Sequence, residues 1–176
     1  MMKKEDIARY LPCYLSPESK TDLFKELKSF PNNIDSRMYT KKLVSEMCIF
    51  QGDGLSALPV IRLPDTKTVN KKVMVLSNTC DLALENKRPI PMRMCYAPLI
   101  LFKKYEDMLK RMNRSDEFIR NHILDIKTQK VSHIFFLPSN DKIGEDCLVF
   151  LDTIVNHENL QSNDIKQKRL FTLSDY

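Results

Sequence analysis

Up to about residue 48 the apolar positions recur at helical spacing, and beyond it they gather into short, strand-length runs. Ser16 followed by Pro17 is a helix start, with serine as N-cap and proline in the first turn. Leu23, Phe24, Leu27 and Phe30 then line one face. Pro31 ends this helix, because the residue before a proline disfavours α geometry. A second short helix is predicted over residues 36–48. From Ile49 the pattern changes. Gln51-Gly52-Asp53-Gly54 reads as a tight turn, and 57–63 as a strand that Pro59 confines to an edge or an irregular stretch. Residues 64–66 are a turn. The run 73–76 (Val-Met-Val-Leu) is too apolar for a surface strand and reads as a buried one. A second long apolar strand covers 92–101.

Helix returns over 104–127. Ser115 is its internal N-cap signal, with Asp116 and Glu117 in the following turn, and Phe118, Ile119, Ile123 and Ile126 are expected to face the core. Strands follow at 131–137 and 146–156, and a last helical turn at 164–169. The order predicts an α+β chain: a strongly bent antiparallel sheet or partly open barrel with helices outside. Residues 1–48 form an N-terminal helical extension, and 49–176 form the barrel with a helical insertion at 104–128.

Between the two apolar strands lies Ser77-Asn78-Thr79-Cys80-Asp81. A rigid strand that opens onto five small polar side chains is where binding or catalysis is often built. A plain turn that ends a strand is the alternative, and Asp81 could equally cap that turn through its own backbone.

Charge singles out the same region. Residues 60–130 carry 15 Lys and Arg against 8 Asp and Glu, whereas 1–59 carry 9 against 8 and 131–176 carry 4 against 7. A local basic excess suits a polyanionic partner. Lys71, Lys87, Arg88, Arg93, Lys103 and Lys104 are the candidate nucleic-acid contacts. Lys110, Arg111 and Arg114 extend them beside Tyr105, an arrangement that suits single-stranded nucleic acid. A solvated helix face is the competing explanation.

The 176 residues are 43% hydrophobic, enough for one cored domain. No apolar run is long enough to span a membrane, and the first residues lack a signal-peptide core, so a cytoplasmic protein without membrane contact is expected. With three glycines there is no GxGxxG or Walker-type loop. The five cysteines include no CxxC pair, so neither a zinc ribbon nor a redox motif is indicated, and no metal or cofactor is assigned. A zinc site from Cys80, Cys95, Cys147 and His133 has no spacing rule behind it. The carboxylate beside Cys80 should raise its pKa and leave it a weak nucleophile, so a pocket-lining or structural role is expected.

Four phrases in order resemble the MazF/PemK family of bacterial toxins. They are Gln51-Gly52-Asp53; the strand from Lys72 to Leu76 with Ser77 and Asn78; Met94-Cys95-Tyr96-Ala97-Pro98-Leu99-Ile100; and Ser132-His133-Ile134 with the later strand 147–155. The resemblance implies a small SH3-like barrel, a homodimer, and metal-independent cutting of single-stranded RNA by attack of a ribose 2′-hydroxyl. That reaction needs a base, an acid and a cation at the phosphate. Lys72 stands where the family has its catalytic arginine, and lysine cannot fork two hydrogen bonds onto a phosphate. Leu99 stands near the family's catalytic threonine or serine and can do no such chemistry. Ser77, Thr79 and Asp81 are the replacements on offer, with Lys72 as the cation. Two functions are therefore expected: an RNA-binding protein, perforce with an altered nuclease site if it cuts, or an inactive barrel that binds a protein partner such as an antitoxin or defence component.

Overall fold

In a computed structural model of the chain, the described residues are 38–62, 64–83, 85–86, 88–90, 92–160, 165 and 167–173, with scattered positions between 18 and 34. Among these residues eight strands are present: β1 (Tyr39–Thr40), β2 (Gly54–Arg62), β3 (Asp65–Val75), β4 (Arg93–Leu101), β5 (Ile134–Leu137), β6 (Cys147–Phe150), β7 (Val155–Glu158) and β8 (Arg169–Leu173). Helices with described bounds accompany them: α1 (Thr79–Leu82), α2 (Phe102–Arg111) and α3 (Asp116–Lys127). The sheet runs β1-β8-β2-β3-β4-β6-β5, and β7 pairs with the first half of β4. All its ladders are antiparallel. The two ends of this path meet through a side chain rather than a ladder, since the Tyr39 hydroxyl donates to the Pro138 carbonyl just past β5.

Strand alternation sorts the apolar side chains onto two faces. Val73 and Val75 join Leu55, Leu58, Met94, Tyr96 and Ile165 on one face. Met74 joins Ala97, Leu137, Cys147, Val149 and Phe171 on the other. Helices α2 and α3 cover a third cluster built on Phe102, Ile126, Ile134, Phe136 and Leu148. Val73, Val75, Tyr96 and Leu148 are fully buried, as the apolar runs predict.

Pro59 lies in β2, as expected of an edge. β8 pairs only with Gly54 and Leu55, so beyond them β2 has no second strand partner among the described residues and Pro59 lies on a stretch laddered to β3 alone. The register slips between Leu55 and Leu58, where Ala57 takes φ 55°. This is a bulge with a non-glycine residue in left-handed geometry.

Several expectations need correction. Residues 36–48 do not form a helix where described: Tyr39 and Thr40 pair with Leu173 and Thr172, and 42–45 is a turn. The Tyr39 ring meets Phe171 edge-on at 5.1 Å, so tertiary contact overrides the local pattern. The strand expected at 146–156 is two strands, β6 and β7, because the chain turns at Leu151-Asp152. The helix expected at 104–127 is likewise two, broken at Asn113 with φ 50°. Ser115 caps α3 as predicted, its Oγ accepting from the Phe118 N–H at 3.2 Å. Phe118 faces solvent instead of the core, because Ile119 and Ile126 fill the buried side. Ser16, Pro17, Leu23, Leu27 and Pro31 lie outside the described residues. Within that stretch Glu18, Thr21, Phe24, Lys25, Lys28 and Ser29 are helical.

Candidate functional site

The polar loop after β3 is stitched to its neighbours by its own side chains. The backbone N–H groups of Leu76 and Ser77 both donate to the Cys95 carbonyl, at 2.9 and 3.3 Å. Ser77 Oγ accepts from the Cys95 N–H at 2.8 Å and so completes the β3–β4 pairing beyond the strand end. Asn78 caps α1 by accepting from the Cys80 N–H at 3.0 Å. Thr79 Oγ1 accepts from the Gln51 N–H at 3.0 Å, and Gln51 Nε2 donates to the Leu76 carbonyl at 3.1 Å. Asp81 forms an ion pair with Arg88. Asn86 Nδ2 closes the turn on the Cys80 carbonyl at 3.0 Å. Ser77, Asn78 and Thr79 thus take backbone N–H groups, whereas the Asp81 carboxylate is engaged by Arg88.

Lys72 is not part of this cluster. Its Nζ donates to the carbonyls of Lys142 and Ile143, at 3.3 and 3.4 Å, in the β5–β6 connection. On β4, Val73 pairs with Pro98 and Tyr96 with Val75, while Leu101 pairs with Cys147. The 142–143 turn therefore lies at the Leu101 end of β4 and the polar loop at the Cys95 end. Leu99 is half-buried against the cluster that holds Met74 and Val149. The candidate base, acid and cation are thus split between two ends of the sheet.

The basic candidates are exposed but differently engaged. Lys71 is exposed on β3. Arg93 opens β4 and donates from Nε to Asn156 Oδ1 at 2.6 Å. Arg88 is held by Asp81. Lys103 sits 3.9 Å from Glu106 and 3.5 Å from Asp107 on its own helix, and Lys104 is exposed beside it. Lys87 lies outside the described residues.

Cys80 is exposed on α1, whereas Cys147 is buried. Burial pushes the Cys147 thiol up to about 11, against the pull of nearby Lys72. His133 belongs to the turn before β5, not to a strand, and is exposed. Among the described residues no three His, Cys, Asp or Glu side chains gather as a metal site would require.

The sequence reading missed a densely bonded buried polar group among the described residues. Asp53 is 0% exposed, Arg169 3% and Thr172 1%. Asp53 Oδ2 accepts from Arg169 Nε at 3.1 Å and Nη2 at 2.9 Å, and from the Phe50 N–H at 3.0 Å. Asp53 Oδ1 accepts from Thr172 Oγ1 at 2.7 Å. Arg169 also donates to the carbonyls of Leu43 at 3.0 Å, Glu46 at 2.7 Å and Cys48. Burial pushes the Asp53 carboxyl up, while the Phe50 N–H, Thr172 and Arg169 pull it back. An aspartate between two glycines reads as a turn, and nothing local announces an arginine 116 residues away. This group fastens residues 43–48 to the sheet and is sealed from any substrate.

No family model matches the chain, and neither a curated protein nor a solved structure matches it.

Proposed function

We propose that this chain is a MazF/PemK-like, SH3-like barrel that binds single-stranded RNA and does not cut it through residues 72–81. The observation that carries this reading is the separate engagement of the four candidate catalytic groups. Lys72 bonds to backbone carbonyls at one end of the sheet. Ser77 and Thr79 accept backbone N–H groups, and Asp81 pairs with Arg88, at the other. Attack by a 2′-hydroxyl requires base, acid and cation around one phosphate. The eight-stranded antiparallel sheet and the Tyr39–Pro138 hydrogen bond between its terminal strands support the barrel reading. The excess of Lys and Arg over residues 60–130, with Lys71, Arg93 and Lys104 exposed, supports a polyanionic partner. Toxin–antitoxin or phage-defence context and a homodimer follow from the same resemblance, and a cytoplasmic location is part of this reading. A barrel that binds an antitoxin-like protein is the second reading, favoured by the inert Leu99 at the family's catalytic position.

The test is binding of a fluorescein-labelled single-stranded RNA across a salt series, with the RNA checked for breaks. Affinity should fall with a log–log slope of about −0.7 per phosphate contacted, and Lys71→Glu with Arg93→Glu should weaken it. A flat salt response, or no binding at low salt, would remove the RNA reading. RNA fragments that vanish with Lys72→Ala or Asp81→Ala would overturn the non-cutting one.

A further inference from the structure

A row of planar side chains runs from the sheet out to solvent across helices α2 and α3. Phe150 of β6 meets Tyr105 of α2 edge-on, with ring centroids 5.5 Å apart. Tyr105 stands 6.0 Å from His122 of α3, and its hydroxyl is 2.9 Å from His122 Nε2. His122 lies nearly parallel to Phe118, at 12° and 5.9 Å. The guanidinium of Arg114 covers Phe118 at 5.6 Å. Phe150, Tyr105 and His122 are half-buried, whereas Phe118 is 49% exposed. The ring is thus held at the surface by three rings behind it with the Arg114 guanidinium over it, so a base that stacks there takes the place of that guanidinium and frees it for a phosphate, on a surface already ordered.

The charges around this ring are unevenly used. Lys103 and Lys110 are tied to Glu106 and Asp107, Lys127 to Asp146, and Lys130 to Asp125. Arg111, Arg114 and Arg120 are exposed and have no carboxylate partner at ion-pair distance among the described residues. Asp116 and Glu117 occupy the first turn of α3, where the helix dipole favours them. Aromatic faces interleaved with unpaired arginines match the needs of single-stranded nucleic acid, whose bases stack while its phosphates take the charge.

We infer that Phe118, backed by His122 and Tyr105, is a base-stacking platform for single-stranded nucleic acid, with Arg111, Arg114 and Arg120 holding the flanking phosphates. The inference rests on the reading of this chain as an RNA-binding protein. It places a principal contact on the helical insertion, and on arginines and a phenylalanine instead of Lys103.

The experiment is fluorescence anisotropy of the full chain with a labelled single-stranded RNA of mixed sequence. Because Phe118 is half-exposed, its variants should keep the far-UV circular dichroism of the unaltered protein. Phe118→Ala should weaken binding by roughly 5- to 150-fold, the range expected for losing one stacked base. Phe118→Tyr should retain affinity, and Phe118→Leu should not, since leucine keeps apolar contact but has no π-face. Arg111→Gln, Arg114→Gln and Arg120→Gln together should reduce the salt slope by about 0.7 per phosphate lost. Binding within about twofold of the unaltered protein for Phe118→Ala, or full affinity for Phe118→Leu, would overturn the platform and leave the RNA reading standing. Loss with Phe118→Ala but none with Lys71→Gln and Arg93→Gln would support the platform and remove the sheet contacts. Absence of any binding would overturn both, and binding of a protein partner that Phe118→Ala abolishes, without RNA binding, would reassign the surface.

Discussion

Replacing Asp53 by alanine strands a guanidinium in the interior. Arg169 keeps the carbonyls of Leu43, Glu46 and Cys48 but loses the carboxylate that neutralises it. Breaking a buried ion pair by removing one partner costs about 3–5 kcal/mol, because the remaining charge is uncompensated. The Thr172 hydroxyl and the Phe50 N–H lose their acceptor as well, at about 1 kcal/mol or more each. These costs overlap, so about 4–6 kcal/mol is expected, against the ~5–15 kcal/mol that holds a typical domain folded. Asp53→Asn keeps the volume and one acceptor oxygen and should cost less, about 1.5–3 kcal/mol. Arg169→Met strands the carboxylate instead and frees residues 43–48. With both partners gone no charge is left unpaired, so the double variant should cost less than the sum of the singles by about 2–3 kcal/mol.

The assay is a urea titration followed by far-UV circular dichroism, the chain having no tryptophan to report on its core. With an m-value of about 2 kcal/mol per molar, a loss of 4 kcal/mol moves the midpoint down by about 2 M. If alanine leaves too little folded protein to titrate, Asp53→Asn and Thr172→Val give the same ordering. A midpoint within about 0.5 M of the unaltered chain for Asp53→Ala, or simple additivity in the double variant, would refute the claim that this pair acts as one buried unit.

Gly54→Ala should destabilise by about 1–3 kcal/mol or more, measured by the same titration, because its Cβ would lie 2.1 Å from a ring carbon of Phe171. Ala57→Gly should stabilise by about 0.5–1 kcal/mol, since glycine accepts the φ of 55° at the bulge without the strain alanine carries; a loss of stability would contradict that. In native buffer at pH 8 the exposed Cys48 and Cys80 should react with a disulfide reagent and buried Cys147 should not, its thiolate fraction being about one in a thousand at a pKa of about 11. The unfolded chain gives up that proton near pH 8.5 and the native chain near 11. Stability should therefore fall as pH rises through that window, by up to about 1.4 kcal/mol per unit, and Cys147→Val should flatten the fall; an unchanged slope would count against the buried thiol.

What the sequence could reveal was whatever depends on near neighbours. The run at 73–76 is buried because no polar residue interrupts it, Pro59 marks an edge because it lacks a donor, and Ser115 caps a helix three residues ahead of the N–H it binds. The start of β3 was hidden for the opposite reason: residues 65–72 are exposed and mostly polar, and they extend as a strand because β2 supplies the ladder. Tyr39 and Thr40 are strand only because β8 lies beside them. The Asp53–Arg169 pair joins residues 116 apart in the chain that meet only because β2 and β8 are neighbours in the sheet, and neither residue differs locally from a surface charge.

The fate of the polar loop follows from the same division. Its five residues are what a catalytic rim needs by type, and sequence alone leaves catalysis and turn-building equally open. The geometry favours turn-building, which is the basis of the proposed reading. Lys72 and Leu76 are four residues apart on an extended chain, which is about 13 Å at roughly 3.3 Å per residue, and the Lys72 side chain is drawn toward the Leu101–Cys147 end of the sheet. Ser77, Thr79 and Asp81 lie beyond Leu76 at the other end, each bonded to a neighbour. A single scissile phosphate, with hydrogen-bond reach of about 3 Å to each group, cannot be served by both. On the proposed reading a polyanion laid along the sheet needs no such convergence, since each phosphate meets its own cation, and the dispersed charges suit that reading where the dispersed candidates do not suit cleavage.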